Sequence, residues 1–408
     1  MRTFAITAAT LSFACSMAFA QSSAIRLSVD PGQTERHDTP MNLTLPGLHI
    51  PVTRFLASLK STDGETIQAQ ADQLLDSFGN NLGTRLEWVQ PHLDPGHPRT
   101  YTLAINSTPY DISQYFHYID ADGYRDLFYG KQPVYRYVNK FDPADFFNTS
   151  KPFHHIYGFH DEGFITKGPP GGLYPHHRGI FLGFTTQFGN FWACTDVHQQ
   201  HVDYVYGLES SGPVAARTIS LVDWIDKDNR AVIRDTRDVT TYYVAKDAIV
   251  LDFDITMQSL AGDIKLTGNA QHAGFHFRAA QEVADAKSPG AKITAGGATY
   301  MLPPTAKPGQ ADEYLDCPWV ACNFTIQGHP YTVLHMNAPS NPTPTSYSTR
   351  PYGRFGAWFN GMLKQDEPLH FKYRITILDA STHPNLSQEQ LAGDYADFAD
   401  PPKITIVK

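Results

Sequence analysis

Charge is scarce in this sequence: Lys, Arg, Asp and Glu together make up 18% of its 408 residues. With 32 basic against 41 acidic residues the formal charge is −9, and no run of Lys or Arg has the density that a phosphate backbone requires. Nucleic acid is therefore not an expected partner. Cysteine is also rare, at four, and no Cys-x-x-Cys spacing occurs, which argues against a zinc site built on thiolates. Beyond Gln21 no window holds about 18 consecutive apolar residues, so no membrane span is expected. A Gly-x-Ser-x-Gly nucleophile elbow, a phosphate-binding P-loop and a His-Glu-x-x-His helix are missing as well. Their absence removes the commonest routes to acyl transfer, nucleotide hydrolysis and zinc proteolysis.

What is present points to a folded, sheet-rich chain. Hydrophobic residues reach 41% and aromatics 12%, with 30 Gly and 29 Pro to punctuate short runs. All-β is the expected class, as a large antiparallel β-sandwich with a few short helices, one of them near the C-terminus. Residues 248–255 show the pattern best. Ile249, Leu251, Phe253 and Ile255 alternate with Asp252 and Asp254, as a half-buried strand requires. Ser387 followed by Gln390, with Leu391, Tyr395 and Phe398 behind them, predicts a capped helix within a C-terminal helix and tail over 381–408. Ile67, Ala71, Leu74, Leu75 and Phe78, stopped by Gly79, predict another over 66–78.

At the other end, Arg2 precedes an apolar stretch over 4–19 that closes in Ala18-Phe19-Ala20 before Gln21, the pattern of a signal peptide over 1–20. The expected location is periplasmic or secreted. Residues 21–50 read as a polar N-terminal arm. Residues 51–380 read as the sandwich, with room for a smaller sheet over 51–150. Cleavage leaves Cys194, Cys317 and Cys322, and the short Cys317 to Cys322 loop leaves a local disulfide open.

Histidine is the unevenly distributed residue. Seven of the 18 fall between positions 154 and 201, and imidazole exchanges protons near neutral pH without special tuning. Tyr174-Pro175-His176-His177-Arg178 lies where a loop becomes a strand. His176, His177 and Tyr174 are candidate acid–base groups and Arg178 a candidate substrate grip. The competing reading makes one histidine a buried hydrogen-bonded residue and Arg178 a pin for the loop. In 271–278, His272, His276 and Arg278 share one strand face, which adds His276 as a catalytic and Arg278 as a binding candidate. His198 and His201 are candidate metal ligands, and would share a face if they lay on a helix. A divalent metal is an option but not a requirement. Trp319 and Tyr352 are suited to stacking on a sugar ring, and Arg350 or Arg354 to gripping hydroxyls or a carboxylate.

These segments resemble a bacterial family labelled PmoA-like. The resemblance is carried by Pro175-His176-His177-Arg178-Gly179, Phe191-Trp192, Gly274-Phe275-His276-Phe277-Arg278, Pro318-Trp319-Val320, His335 with Asn337, and Arg350-Pro351-Tyr352-Gly353. It covers roughly residues 103–378, with the segments in family order. It implies a secreted β-sandwich protein of glycan-degrading bacteria, and adds His335 and Asn337 to the binding candidates. The expected function is a secreted carbohydrate-active enzyme, hydrolase or lyase, that cleaves a glycosidic linkage in an oligo- or polysaccharide. The alternative is a non-catalytic periplasmic glycan-binding protein.

Overall fold

A computed structural model describes residues 25–407 apart from 49, 51–54, 270, 287–295 and 310–312. The expected signal peptide over 1–20 lies outside the described residues. Within them the chain is overwhelmingly antiparallel sheet. A ten-stranded and a nine-stranded sheet face each other across one large core, to which Phe253, Phe275, Phe277, Phe355, Tyr373 and Ile375 belong. This is the expected sandwich. Strand Ala248–Ser259 pairs along its length with Ala231–Ala245 and Leu369–Asp379, burying Leu251, Phe253 and Ile255 while Asp252 and Asp254 keep partial exposure.

A third, seven-stranded sheet has its own smaller core around Leu27, Leu59, Leu86 and Trp88. Its extent differs from the expected boundaries in two ways. The described part of the supposed arm supplies two of its strands, Arg26–Asp30 and Arg36–Leu45, and Lys403–Val407 of the tail pairs with the first. Within the expected 51–150 region the sheet ends at Pro109, because strands Phe116–Ala121, Tyr124–Tyr129 and Gln132–Val138 join the ten-stranded sheet.

The helix expected over 66–78 is instead strand Thr66–Leu75, hydrogen-bonded on both sides. Ile67, Ala69 and Ala71 are buried with the two-residue period that a sheet imposes. Phe78, part of the apparent helical stripe, is 89% exposed. Neighbouring strands that satisfy the backbone on both edges overrode a short stretch of helix-like spacing. The C-terminal helix forms as expected over Gln388–Ala399, with Ser387 Oγ accepting from the Gln390 amide and the Gln390 side chain accepting from the Ser387 amide. Among the described residues no disulfide forms: Cys194, Cys317 and Cys322 are free and buried. Among the described residues no helix is long and apolar enough to cross a membrane.

Candidate functional site

The site is built on the outer face of the ten-stranded sheet. Strand Gly274–Arg278 sends Phe275 and Phe277 into the core, so alternation turns His276 and Arg278 outward. The neighbouring strand Arg354–Phe359 does likewise, and the register sets Arg278 opposite Arg354 and His276 opposite Gly356. A β-carbon on Gly356 would lie 2.8 Å from the His276 ring, so glycine there is what lets the imidazole lie across the strand. The 168–177 loop and the segment carrying Trp192 complete the cluster.

His276 is fully buried. Its Nε2 lies 2.9 Å from the Ala273 carbonyl and its Nδ1 3.2 Å from Arg354 Nη1. A carbonyl can only accept and a guanidinium can only donate, so Nε2 carries the proton and Nδ1 is the acceptor. His276 thus orients Arg354 and has no ring nitrogen left for proton transfer. Arg354 also reaches the Tyr352 hydroxyl at 3.3 Å and Ser348 Oγ at 3.2 Å.

His177 is the hub. Its ring lies 4.5 Å from that of His176, 5.3 Å from Tyr174, 6.0 Å from Trp192 and 6.1 Å from Tyr352. It is buried, and among the described residues its Nδ1 has no hydrogen-bond partner; the same holds for His176 Nε2 and Trp192 Nε1. Burial, reinforced by nearby cations, pushes His177 well below its ordinary pKa and brings His176 down to about 3. Both imidazoles are neutral at pH 7. Tyr174 covers them, 44% exposed, with its backbone at φ 52°. That left-handed conformation costs a bulky residue about 1–2 kcal/mol, and such strain concentrates at working sites.

The cluster is strongly cationic. Lys151, Lys167, Arg178 and Arg278 are all nearly fully buried, and among the described residues none of them is in an ion pair. Their partners are backbone carbonyls: Trp192 for Lys151, Gly171 for Lys167, and Tyr352 and Ala279 for Arg278. Burial lowers both lysines to about 8 and both arginines to about 10. An uncompensated buried cation costs several kcal/mol.

The structure brings together Tyr174, His176, His177, His276, Arg278 and Tyr352, with Arg350 bordering them through its pairing with Arg354. Arg178 faces away. Its guanidinium donates to the carbonyls of Pro175, His177 and Phe147, so it pins the loop. This is the competing reading, with carbonyls in place of a carboxylate. Trp319 is packed against Met336, Leu334 and Leu391 beneath the C-terminal helix, with no face to offer a sugar. His335 is fully buried between the Tyr347 hydroxyl and the Phe275 carbonyl. Asn337 bonds to Asn341, and its carbonyl accepts from Tyr395.

His198 and His201 lie on strand His198–Tyr204, where a spacing of three points side chains to opposite faces. His198 stacks on Phe141, and His201 lies against Tyr137 and Tyr204. They form no joint metal site. The one grouping of three metal-type donors among the described residues is Glu35, His37 and His92, on the surface of the N-terminal sheet.

Lys151 and Lys167 were missed in the sequence, because a lone lysine gives no sign that it will be buried. Trp192 was visible only within the family segments. No curated protein matches the chain. A family model described as a family of unknown function (DUF6807) matches residues 125–392, which hold the nine-stranded sheet, most of the ten-stranded sheet and every residue of the cluster, and the chain belongs to that family.

Proposed function

We propose that this cluster is the working centre of a secreted carbohydrate-active enzyme that cleaves a glycosidic linkage. His177 and His176 serve as proton acceptors, Tyr174 as a proton donor, and Arg278 and Tyr352 hold the sugar. One observation carries this reading: two adjacent neutral imidazoles keep unpartnered ring nitrogens under an exposed, strained tyrosine. A neutral imidazole is the form that accepts a proton. A glycan-binding protein would need the aromatic rings but not this grouping of titratable ones.

Hydrolysis by the usual route uses two carboxylates about 5 to 9.5 Å apart, whereas the groups bonded within this cluster are imidazoles, phenols and cations. Elimination needs one base and one acid, so lyase chemistry fits the residues better. The resemblance to the PmoA-like family and the expected signal peptide support a role in glycan breakdown outside the cytoplasm. Product analysis after incubation with a panel of plant and bacterial glycans, with and without chelator, tests the reading. We expect cleavage of at least one glycan, insensitive to chelator, and a loss of about 10² to 10⁴ in turnover for His177→Ala. Unchanged turnover in a folded His177→Ala variant would remove His177 from the mechanism.

A further inference from the structure

Seven arginines of this protein hold a carboxylate through the same edge, with Nε and Nη2 each on the same acid: Arg125 on Asp120, Arg136 on Asp126, Arg217 on Asp238, Arg230 on Asp226, Arg234 on Asp223, Arg237 on Asp235 and Arg374 on Asp252. That edge of the guanidinium presents two parallel N–H groups at the spacing of two carboxylate oxygens. Arg278 directs its Nη1 to two backbone carbonyls, which fixes the plane of the group. Its Nε and Nη2, the same carboxylate-matching edge, have no partner among the described residues although the residue is fully buried.

We infer that Arg278 receives the carboxylate of an acidic sugar, a uronate, in bidentate fashion beside His177. The surroundings favour an anion over a neutral hydroxyl. Lys151, Lys167 and Arg354 add positive charge nearby; burial first, then Arg354 beside both groups and Lys151 beside His177, holds His177 and Arg278 below their ordinary pKa values. Asp285, the acid that acts on Arg278, is exposed and bonded to Gln281. The Tyr352 ring spans the two functional groups, with the Arg278 Cζ 5.0 Å from its centre and the His177 ring 6.1 Å from it. The loop above carries Gly171 and Gly172, both left-handed at φ 72° and 75°, and is held by Lys167 on the Gly171 carbonyl and Gln281 on the Leu173 amide.

The inference rests on the cleavage reading and sharpens it. Neutralising a uronate carboxylate acidifies the neighbouring carbon, whose proton a base then takes as the bond from the next ring carbon to the glycosidic oxygen breaks. A carbon–carbon double bond forms, and the leaving oxygen collects a proton from the acid.

Calorimetric titration of the whole chain with D-glucuronate, D-glucose and inorganic phosphate tests the assignment. We expect glucuronate to bind at least about tenfold more tightly than glucose, the size of one charge-assisted hydrogen bond, and Arg278→Gln to abolish the difference. Arg278→Lys keeps the charge without the fork and is expected to weaken glucuronate binding by a similar factor; it carries the test if the glutamine variant does not fold. Equal binding of glucose, phosphate that displaces glucuronate at equal concentration, or full affinity in Arg278→Lys would each overturn the proposal. Cleavage confined to neutral glycans defeats the uronate and leaves the enzyme standing. Glucuronate binding without cleavage of any glycan defeats the enzyme and leaves the uronate site.

Discussion

Two groups of buried cations in the sandwich are treated in opposite ways. In the nine-stranded sheet the buried Arg237 and Arg374 each meet a carboxylate, supplied by Asp235 and Asp252. On the outer side of the ten-stranded sheet Lys151, Lys167 and Arg278 are buried to a similar degree and meet carbonyls. Charge that is matched inside the chain holds strands together. Charge that is unmatched weakens the fold and persists where something outside the chain uses it. The comparison separates arginines that build the protein from those that equip it, though composition makes them identical.

Breaking the matched side gives the largest expected effect. Arg237→Met leaves Asp235 buried with only the Trp224 indole as partner, and denaturant unfolding should show a loss of about 3–5 kcal/mol. The unmatched side should answer with the opposite sign. Lys151→Met removes an uncompensated charge and should raise stability at pH 7 by about 1–3 kcal/mol, allowing for the lost bond to the Trp192 carbonyl.

The pH dependence sharpens this contrast. Lys151 and Lys167 fall from 10.5 to about 8 in the folded chain, so between these values the unfolded chain binds more protons and wild-type stability rises with pH. The advantage of Lys151→Met should therefore shrink as pH climbs from 8 towards 10.5. A constant advantage across that window, in melting temperatures read at each pH, would show that the charge is not the cause.

Smaller effects follow. Arg178→Lys cannot keep three carbonyl bonds and should lose about 1–2 kcal/mol, with turnover falling only through the displaced loop. A fall in turnover with no fall in melting temperature would return Arg178 to the substrate. Ser387→Ala removes one helix cap outside the cationic cluster and should cost about 1 kcal/mol without touching activity.

Where one local pattern sufficed, the sequence was readable. The alternation of 248–255 and the capping box at Ser387 both formed as written, because each is satisfied by residues a few positions apart. The crowding of His176, His177 and His276 was visible for the same reason: two of them are adjacent, and the third lies on an alternating strand. The stretch at Thr66–Leu75 was misread since its spacing suited a helix, and only the flanking strands settled the matter.

The direction of each functional candidate was a different kind of question. Trp319 and His335 lie on paired strands, at positions opposite Met336 and Val320, and what covers each face depends on a helix about 70 residues later and on a sheet packed from elsewhere. The sequence by itself therefore determined the all-β class, the capped tail and the stretch of chain in which chemistry gathers. Tertiary structure alone decided that Arg178 pins a loop while Arg278 offers a fork, and that two unremarkable lysines are buried beside them. Burial and charge compensation are properties of distant segments meeting, and no window of sequence contains both partners.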